Sequence, residues 1–516
     1  MAVDGKSLDT HGSWSRLSRA MIDVLIALAV GALVICAVVF LNPLAVGGII
    51  LMASATFLLR RWIFNWTSMM VFLTAVILFI PIRRYALPVK IGVQLEPYRL
   101  LIVILLVAIA VAATNRSRFP WKPVVWGWPI AIFLWAMLAS LMFNAVTLTE
   151  SGAIMGGFSN LIQLAFLMST VVIFRQLLRS ERVAMILIHV LVLGGAFVGF
   201  FAFVERRTHF NIFVQLHHFL PLVLLRDTAL SSRAGGTRSY ASSQHPIALS
   251  VLFCLIIPLA LYLMKFSRWP RYPFSRRLLY TGCIGLMVLG LLSAVSRTGI
   301  VVMAVMFLFT LLLRPRLALT LAAIGLPIVA LVALVLPKLF ASTVGSFLNL
   351  NSLLASQYTS VGLAGQGRLA DLPGVFSGFV VHPWAGTGVG SRVVVGVNAN
   401  AQILDNQWLS SLLESGVIGV VGMIVFLAWP VIKMVRFGFT SSAPDSRKFL
   451  VFAVAVSTVG YITAMFFYDA FAFMQTLLTL SMLYALAAWA MTDGAEAWPN
   501  PSSEAAQSPG PVASRV

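Results

Sequence analysis

The sequence predicts an all-α, polytopic integral membrane protein of about fourteen transmembrane helices, with a large extracytoplasmic loop. Of its 516 residues, 60% are hydrophobic and 10% charged, and the mean hydropathy is +0.96. Apolar runs of bilayer-crossing length recur along the chain. A chain surrounded by lipid must satisfy its backbone within each helix, which excludes open sheets.

The first run, 21–41, follows Lys6, Arg16 and Arg19 and is too long for a cleaved signal, so it reads as a retained anchor after a cytoplasmic segment 1–20. A tight turn at Asn42-Pro43 leads to 44–59, and Arg60-Arg61 end that span before 62–82. Spans 98–114 and 124–143 flank Arg116, Arg118 and Lys122; spans 153–174 and 183–204 flank Arg175, Arg179 and Arg182. Spans 246–264 and 278–295 are joined through Lys265, Arg268, Arg271, Arg276 and Arg277, and 300–313 meets 317–337 at Arg314 and Arg316. The last three are 407–432, 449–468 and 471–491, the first two joined through Lys433, Arg436, Arg447 and Lys448. Residues 492–516, rich in Pro, Ser, Ala and Gln, have nothing to bury and read as a disordered cytoplasmic tail.

With both termini inside, alternation places 23 of the 36 lysines and arginines in inside loops, although the two longest loops lie outside. That bias is the positive-inside signature and supports the orientation. The net charge of +20 therefore follows the span ends rather than one nucleic-acid-binding patch. Cys36, Cys254 and Cys283 fall inside spans, in no metal-binding spacing and with no loop disulfide to form.

The long outer loops, about 205–245 and 338–406, form the expected functional surface of the 21–491 domain. Within the first, Phe210–Pro221 is apolar but broken by His217-His218 and a proline, so it should lie at the interface rather than cross. Arg233 and Arg238 follow in the same loop. Arg297 sits in the tight outer turn Ser293–Gly299, at the start of a helix whose exposed N–H groups would reinforce an anion site. Arg368 lies in Gly365-Gln-Gly-Arg-Leu-Ala-Asp371. A guanidinium keeps its charge when partly desolvated and grips phosphate oxygens in pairs, so these four arginines are the candidate anion ligands. The plainer alternative is anchorage at lipid headgroups.

Further on, Val380-Val-His-Pro-Trp-Ala-Gly-Thr-Gly-Val-Gly390 offers His382 as donor or base and glycines that let backbone approach a ligand, or else forms a turn-rich connector. Asp405-Asn406 opens the next span, where a carboxylate at a membrane helix mouth is costly and either functional or a helix cap. Glu414, nine residues on, points away from Asp405 on a regular helix. Gly416, Gly419 and Gly422 form one small face suited to close packing. The outer loops hold no DxD and no His/Cys/Asp cluster, so no metal or other cofactor is expected.

The order and spacing of Arg238…His245-Pro246, Ser296-Arg297-Thr-Gly, Gly367-Arg368, His382-Pro383-Trp-Ala-Gly-x-Gly and Asp405-Asn406-x9-Gly-x2-Gly resemble the O-antigen ligase and polysaccharide polymerase superfamily, across roughly 230–435. The resemblance implies a GT-C-like fold in a bacterial inner membrane. It also implies a metal-independent, inverting transfer of a glycan from undecaprenyl diphosphate to a glycan, lipid or protein acceptor, with a polysaccharide assembly complex as a candidate partner. Arg233, Arg238, Arg297 and Arg368 would hold the diphosphate, with Asp405 or His382 as base. Ligases of the family carry a histidine where this chain has Asp405, and an aspartate there is similar to the polymerase-like branch. Polymerase is thus expected, with a ligase, a lipid-linked oligosaccharide flippase or a scaffolding subunit as alternatives.

Overall fold

The computed structural model describes residues 65–88, 95–117, 119–226, 232–233, 236–335, 337, 371–391 and 404–493. The expected segment 1–20, spans 21–41 and 44–59, most of the 338–406 loop with Arg368, and the tail beyond 493 lie outside the described residues. By internal contacts the chain divides into Met1–Met70 and Val71–Val516. Of the first unit, residues 65–70 are described and begin helix α1; everything below concerns the second.

Each span expected from residue 62 onward coincides with a helix. These are α1 (Trp66–Phe79), α2 (Pro97–Ala113), α3 (Gly127–Phe143), the short α4 (Ala145–Glu150), α5 (Ile154–Leu177), α6 (Glu181–Thr208), α7 (Pro246–Phe266) and α8 (Pro273–Ser293). They continue with α9 (Arg297–Leu313), α10 (Pro315–Val335), α11 (Asp371–Val381), α12 (Gln407–Thr440), α13 (Asp445–Ala464) and α14 (Met474–Thr492). Among the described residues, seven of these are long and apolar enough to cross a bilayer, and α1, α2, α3 and α9 are shorter apolar helices. The all-α membrane class holds; the count of fourteen spans is not established by these helices. Strand structure is limited to two two-stranded pairs, β1 (Tyr85–Ala86) with β2 (Val223–Leu224) and β3 (Ser232–Arg233) with β4 (Gly236–Thr237). Phe210–Pro221 forms two 3-10 turns, Ile212–Val214 and Leu216–His218, not a crossing helix.

α7 and α14 are the most enclosed spans, with 89% and 94% of their central windows buried. Helices pack closely where glycine removes the side chain: a Cβ on Gly199 of α6 would lie 2.4 Å from the Leu286 carbonyl oxygen of α8, and Gly290 of α8 faces Gly199 in turn. Such contacts replace the hydrophobic drive that lipid cannot supply.

One end of the bundle is closed by charge. Asp493, just past α14, meets Arg175 at 2.6 Å and Lys122 at 2.9 Å, and the Arg175 side chain is fully buried. Burial pushes the Asp493 carboxyl up, but the hydrogen bonds from Lys122 and Arg175 outweigh it and hold the group below its ordinary value. The opposite end, where α6, α8 and α13 finish and α7, α9 and α14 begin, carries the candidate site.

Candidate active site

The loop from Arg238 to His245 enters this opposite end as a string of backbone anchors. Ser239 N–H donates to the Ser293 carbonyl (3.2 Å) and Arg238 Nε–H to the Ala294 carbonyl (3.3 Å), so the loop lies on the turn that leads into Arg297. The buried Glu205, near the end of α6, accepts the N–H groups of Ala241 (2.8 Å) and Tyr240 (3.4 Å). Asn211 donates to the Ala241 carbonyl at 3.0 Å, fixing Ala241 at φ 44°. Ser243 donates to Gln475 Oε1 of α14, whose amide nitrogen reaches the Ile77 carbonyl of α1 at 2.9 Å. His245 then caps α7, its Nδ1 accepting the Ile247 N–H at 3.2 Å, with Pro246 as the first helical residue.

Arg297 is the first residue of α9 and half-buried. Ser296, its N-cap, makes no side-chain cap hydrogen bond, so the positive end of α9 is not quenched by its own cap residue. The structure thus brings Arg238 and Arg297 together through adjoining backbones. Arg233 lies in β3, and its side chain is outside the described residues, as is all of Arg368.

Asp405 reaches this end by a route the sequence hides. The expected continuous span 407–432 is broken at Gly416, which adopts φ 60° and ψ −161°. Ser411 Oγ lies 3.6 Å from Met423 Sδ, residues about 18 Å apart along a straight helix, so the first arm of α12 folds back along the second. Four backbone bonds cross the corner. Thr387 and Gly388 N–H groups donate to the Leu413 and Glu414 carbonyls (both 2.9 Å), while Val417 and Ile418 donate to the Pro383 and Trp384 carbonyls (2.9 and 3.1 Å). Ser140 of α3 adds bonds to the carbonyls of Ala385 (2.8 Å) and Glu414 (3.1 Å).

Fold-back places the start of the arm beside the loop joining α13 to α14. Gln407 N–H donates to the Met465 carbonyl (2.8 Å), and its side-chain Oε1 accepts the Phe471 N–H (2.9 Å). Phe133 confirms the level, stacking on Phe426 of the second arm at 5.4 Å and on Phe471 at 5.6 Å. The helix cap is Asn406, whose Oδ1 accepts from Trp408 (3.0 Å) and Leu409 (3.2 Å). Asp405 directly precedes this cap and is half-buried. The 465–475 segment also holds the arginine loop, through Gln475 to Ser243 and through Phe473 against His245 (5.7 Å). Asp405, Arg238 and Arg297 accordingly belong to one end of one bundle.

His382 is placed elsewhere. It is exposed at the end of α11, beside Pro383 and the Gly416 corner, and about 15 Å in helix length separates that corner from Asp405. Gly386, Gly388 and Gly390 do approach backbone closely, but that of α12 and α5 and side chains of the α3–α4 corner, not an open cleft: a Cβ on Gly386 would meet the Leu413 carbonyl oxygen at 2.5 Å. Glu414 serves this corner too, its Oε2 taking the Gly390 N–H at 3.4 Å. Asp469, half-buried in the 465–473 loop, is a second carboxylate at the site that sequence reasoning passed over; its only signal is an acidic residue between two apolar spans. Among the described residues no three His, Cys, Asp or Glu side chains gather as a metal site would require.

Residues 282–424 match the family model described as O-antigen ligase (Wzy_C). Over this stretch the chain is similar to the O-antigen ligase family. The match runs from within α8 to the second arm of α12, and so contains Arg297, the Gly416 corner, His382 and Asp405. Arg238 and its loop precede it. No curated protein matches the chain. An O-antigen ligase domain in a multi-helix membrane protein implies lipid-linked glycans as substrates and a membrane as the medium.

Proposed function

We propose that this O-antigen ligase superfamily member is a GT-C-like enzyme of the bacterial inner membrane that moves a glycan from undecaprenyl diphosphate to a sugar hydroxyl, as a polysaccharide polymerase. The observation that carries the reading is the anchorage of both the arginine loop and the Asp405 arm on the 465–475 segment, with the turn that leads into α9 held to that loop by Arg238 and Ser239. Cationic groups and carboxylates gathered at one end of a helical bundle suit a reaction that expels an anion and removes a proton.

The acceptor oxygen forms a bond to the anomeric carbon while the bond from that carbon to the diphosphate oxygen breaks, with inversion. Its electron pair leaves with the diphosphate, and the acceptor proton passes to Asp405. General base assistance of this kind contributes about 10²–10⁴-fold. Arg238 and Arg297, with Arg233 and Arg368 as further ligands, meet the growing negative charge; each such electrostatic partner is worth on the order of 10²–10³-fold. His382 is left to the corner that holds the arm. Asp405 in place of a ligase-type histidine favours polymerase over ligase. The charged end at Lys122, Arg175 and Arg179 faces the cytoplasm, so that both termini are cytoplasmic and the site is outside.

The test uses purified protein with a polyprenyl diphosphate-linked oligosaccharide. Release of free polyprenyl diphosphate in step with glycan lengthening supports the proposal. Movement of the lipid between leaflets without release would make the protein a flippase and end it. In cells lacking the gene, single repeat units should accumulate on the carrier; full-length unattached polymer would instead assign a ligase.

A further inference from the structure

Arg84 stands at the same junction, yet nothing in the sequence separates it from other connector arginines. It closes the turn after α1 and is only 4% exposed. Its backbone is fixed on both sides. Its N–H donates to the Pro81 carbonyl (3.3 Å), its carbonyl accepts from Leu225 (2.7 Å), and the preceding Arg83, at φ 63°, donates to Glu96 Oε2 (2.7 Å). The guanidinium lies over the Tyr240 ring at 4.2 Å, two residues from Arg238, and its charge is felt by the Glu205 carboxylate.

Arg84 Nη1 finds no hydrogen-bond partner among the described residues, and neither do the hydroxyls of Ser239, Ser242 and Ser296, each 1% exposed or less. Buried donors are ordinarily satisfied, because leaving one unmade costs about 1–3 kcal/mol and more for a charged group. Glu205 already accepts two backbone N–H groups. One guanidinium nitrogen and three hydroxyls left over along this loop and the turn it lies on call for a partner rich in acceptor oxygens and negatively charged.

We propose that Arg84, backed by Ser239, Ser242 and Ser296, is a further ligand for a phosphoryl group of the carrier lipid. This rests on reading the junction as a diphosphate site. The probe is farnesyl diphosphate, titrated against purified full-length protein, with farnesol as the uncharged control. Arg84→Gln should weaken farnesyl diphosphate binding about 10-fold or more, the scale of one charged hydrogen bond, and leave farnesol binding unchanged. Arg84→Gln combined with Glu205→Gln should stay equally weak, since restoring charge balance does not restore a phosphate ligand. Wild-type affinity in either variant would overturn the proposal and leave the diphosphate site standing. Parallel loss of farnesol binding would assign Arg84 to the fold and equally overturn it. Failure of the wild-type protein to bind farnesyl diphosphate better than farnesol would remove both this proposal and the site reading beneath it.

Discussion

Replacing Gly416 with alanine tests the corner on which the Asp405 arm turns. At φ 60° and ψ −161° the residue occupies a region open essentially to glycine alone, and a side chain there costs of order 1–3 kcal/mol. Space is lacking as well. The new Cβ would lie 2.4 Å from the Trp384 carbonyl oxygen, 2.5 Å from its carbon and 2.6 Å from the Gly386 nitrogen. These are backbone atoms already committed to the corner's hydrogen bonds, so the loop or the arm must move. Loosening even two of the four cross-corner bonds adds about 1–3 kcal/mol, at roughly 1 kcal/mol net each. Gly416→Ala should therefore lower thermal stability by about 2–6 kcal/mol and cut the proposed glycan transfer by more than 10²-fold, because the proposed base would be misplaced by an ångström or more. The matched control is Gly438→Ala, late in the same α12, where the nearest atom is Arg314 Nη2 at 3.5 Å. That change should be neutral or stabilise by up to about 1 kcal/mol. Thermal unfolding in detergent and polyprenyl diphosphate release measure the two effects. A Gly416→Ala protein with the stability and activity of its Gly438→Ala counterpart would refute the fold-back.

Arg297→Lys should lose on the order of 10²–10³-fold in transfer rate, since a point charge does not replace a guanidinium fork, and a near wild-type rate would remove Arg297 from the site. Asp405→Asn should lower kcat by about 10²–10⁴-fold while His382→Ala changes it by less than about tenfold; the reverse order would exchange their roles. Asp493→Asn should cost about 3–5 kcal/mol in unfolding measurements, because it strands the buried Arg175 charge. As the Asp493 carboxyl is held below its ordinary value, its contribution is complete above the unfolded pKa of about 3.9 and disappears as pH falls through the folded value. Wild-type stability should accordingly drop more steeply than that of Asp493→Asn on acidification below pH ~4, and parallel profiles would deny the ion pair its role.

Helices were legible because bilayer-length apolar runs broken by arginines leave few other solutions, as at Arg314 and Arg316 where α9 gives way to α10. Arg297 and Asp405 stood out for the same reason, as charges where apolar residues prevail. The corner at Gly416 did not, because the hydrophobic run continues through it and a small residue in a helix usually signals close packing. Periodicity carries no information on the sign of φ. Glu205, Arg84 and Asp469 look like ordinary loop-end charges; what sets them apart is burial by segments distant in sequence, such as 238–243 over Glu205. Of the two readings of the glycines 386, 388 and 390, a ligand cradle or a turn-rich connector, the connector fits, because the surface they approach is another part of the same chain.

Gln475 ties the arginine loop to α1 from within the last of the described helices. During synthesis, the ribosome has therefore made nearly every other catalytic part before the piece that braces them emerges. A nascent chain shortened before residue 474 would carry the 238–245 loop without its tie to α14 and, through it, to α1. On the proposed reading, the site is completed only at the closing stage of translation, and a stalled product would lack the last tie that joins its parts.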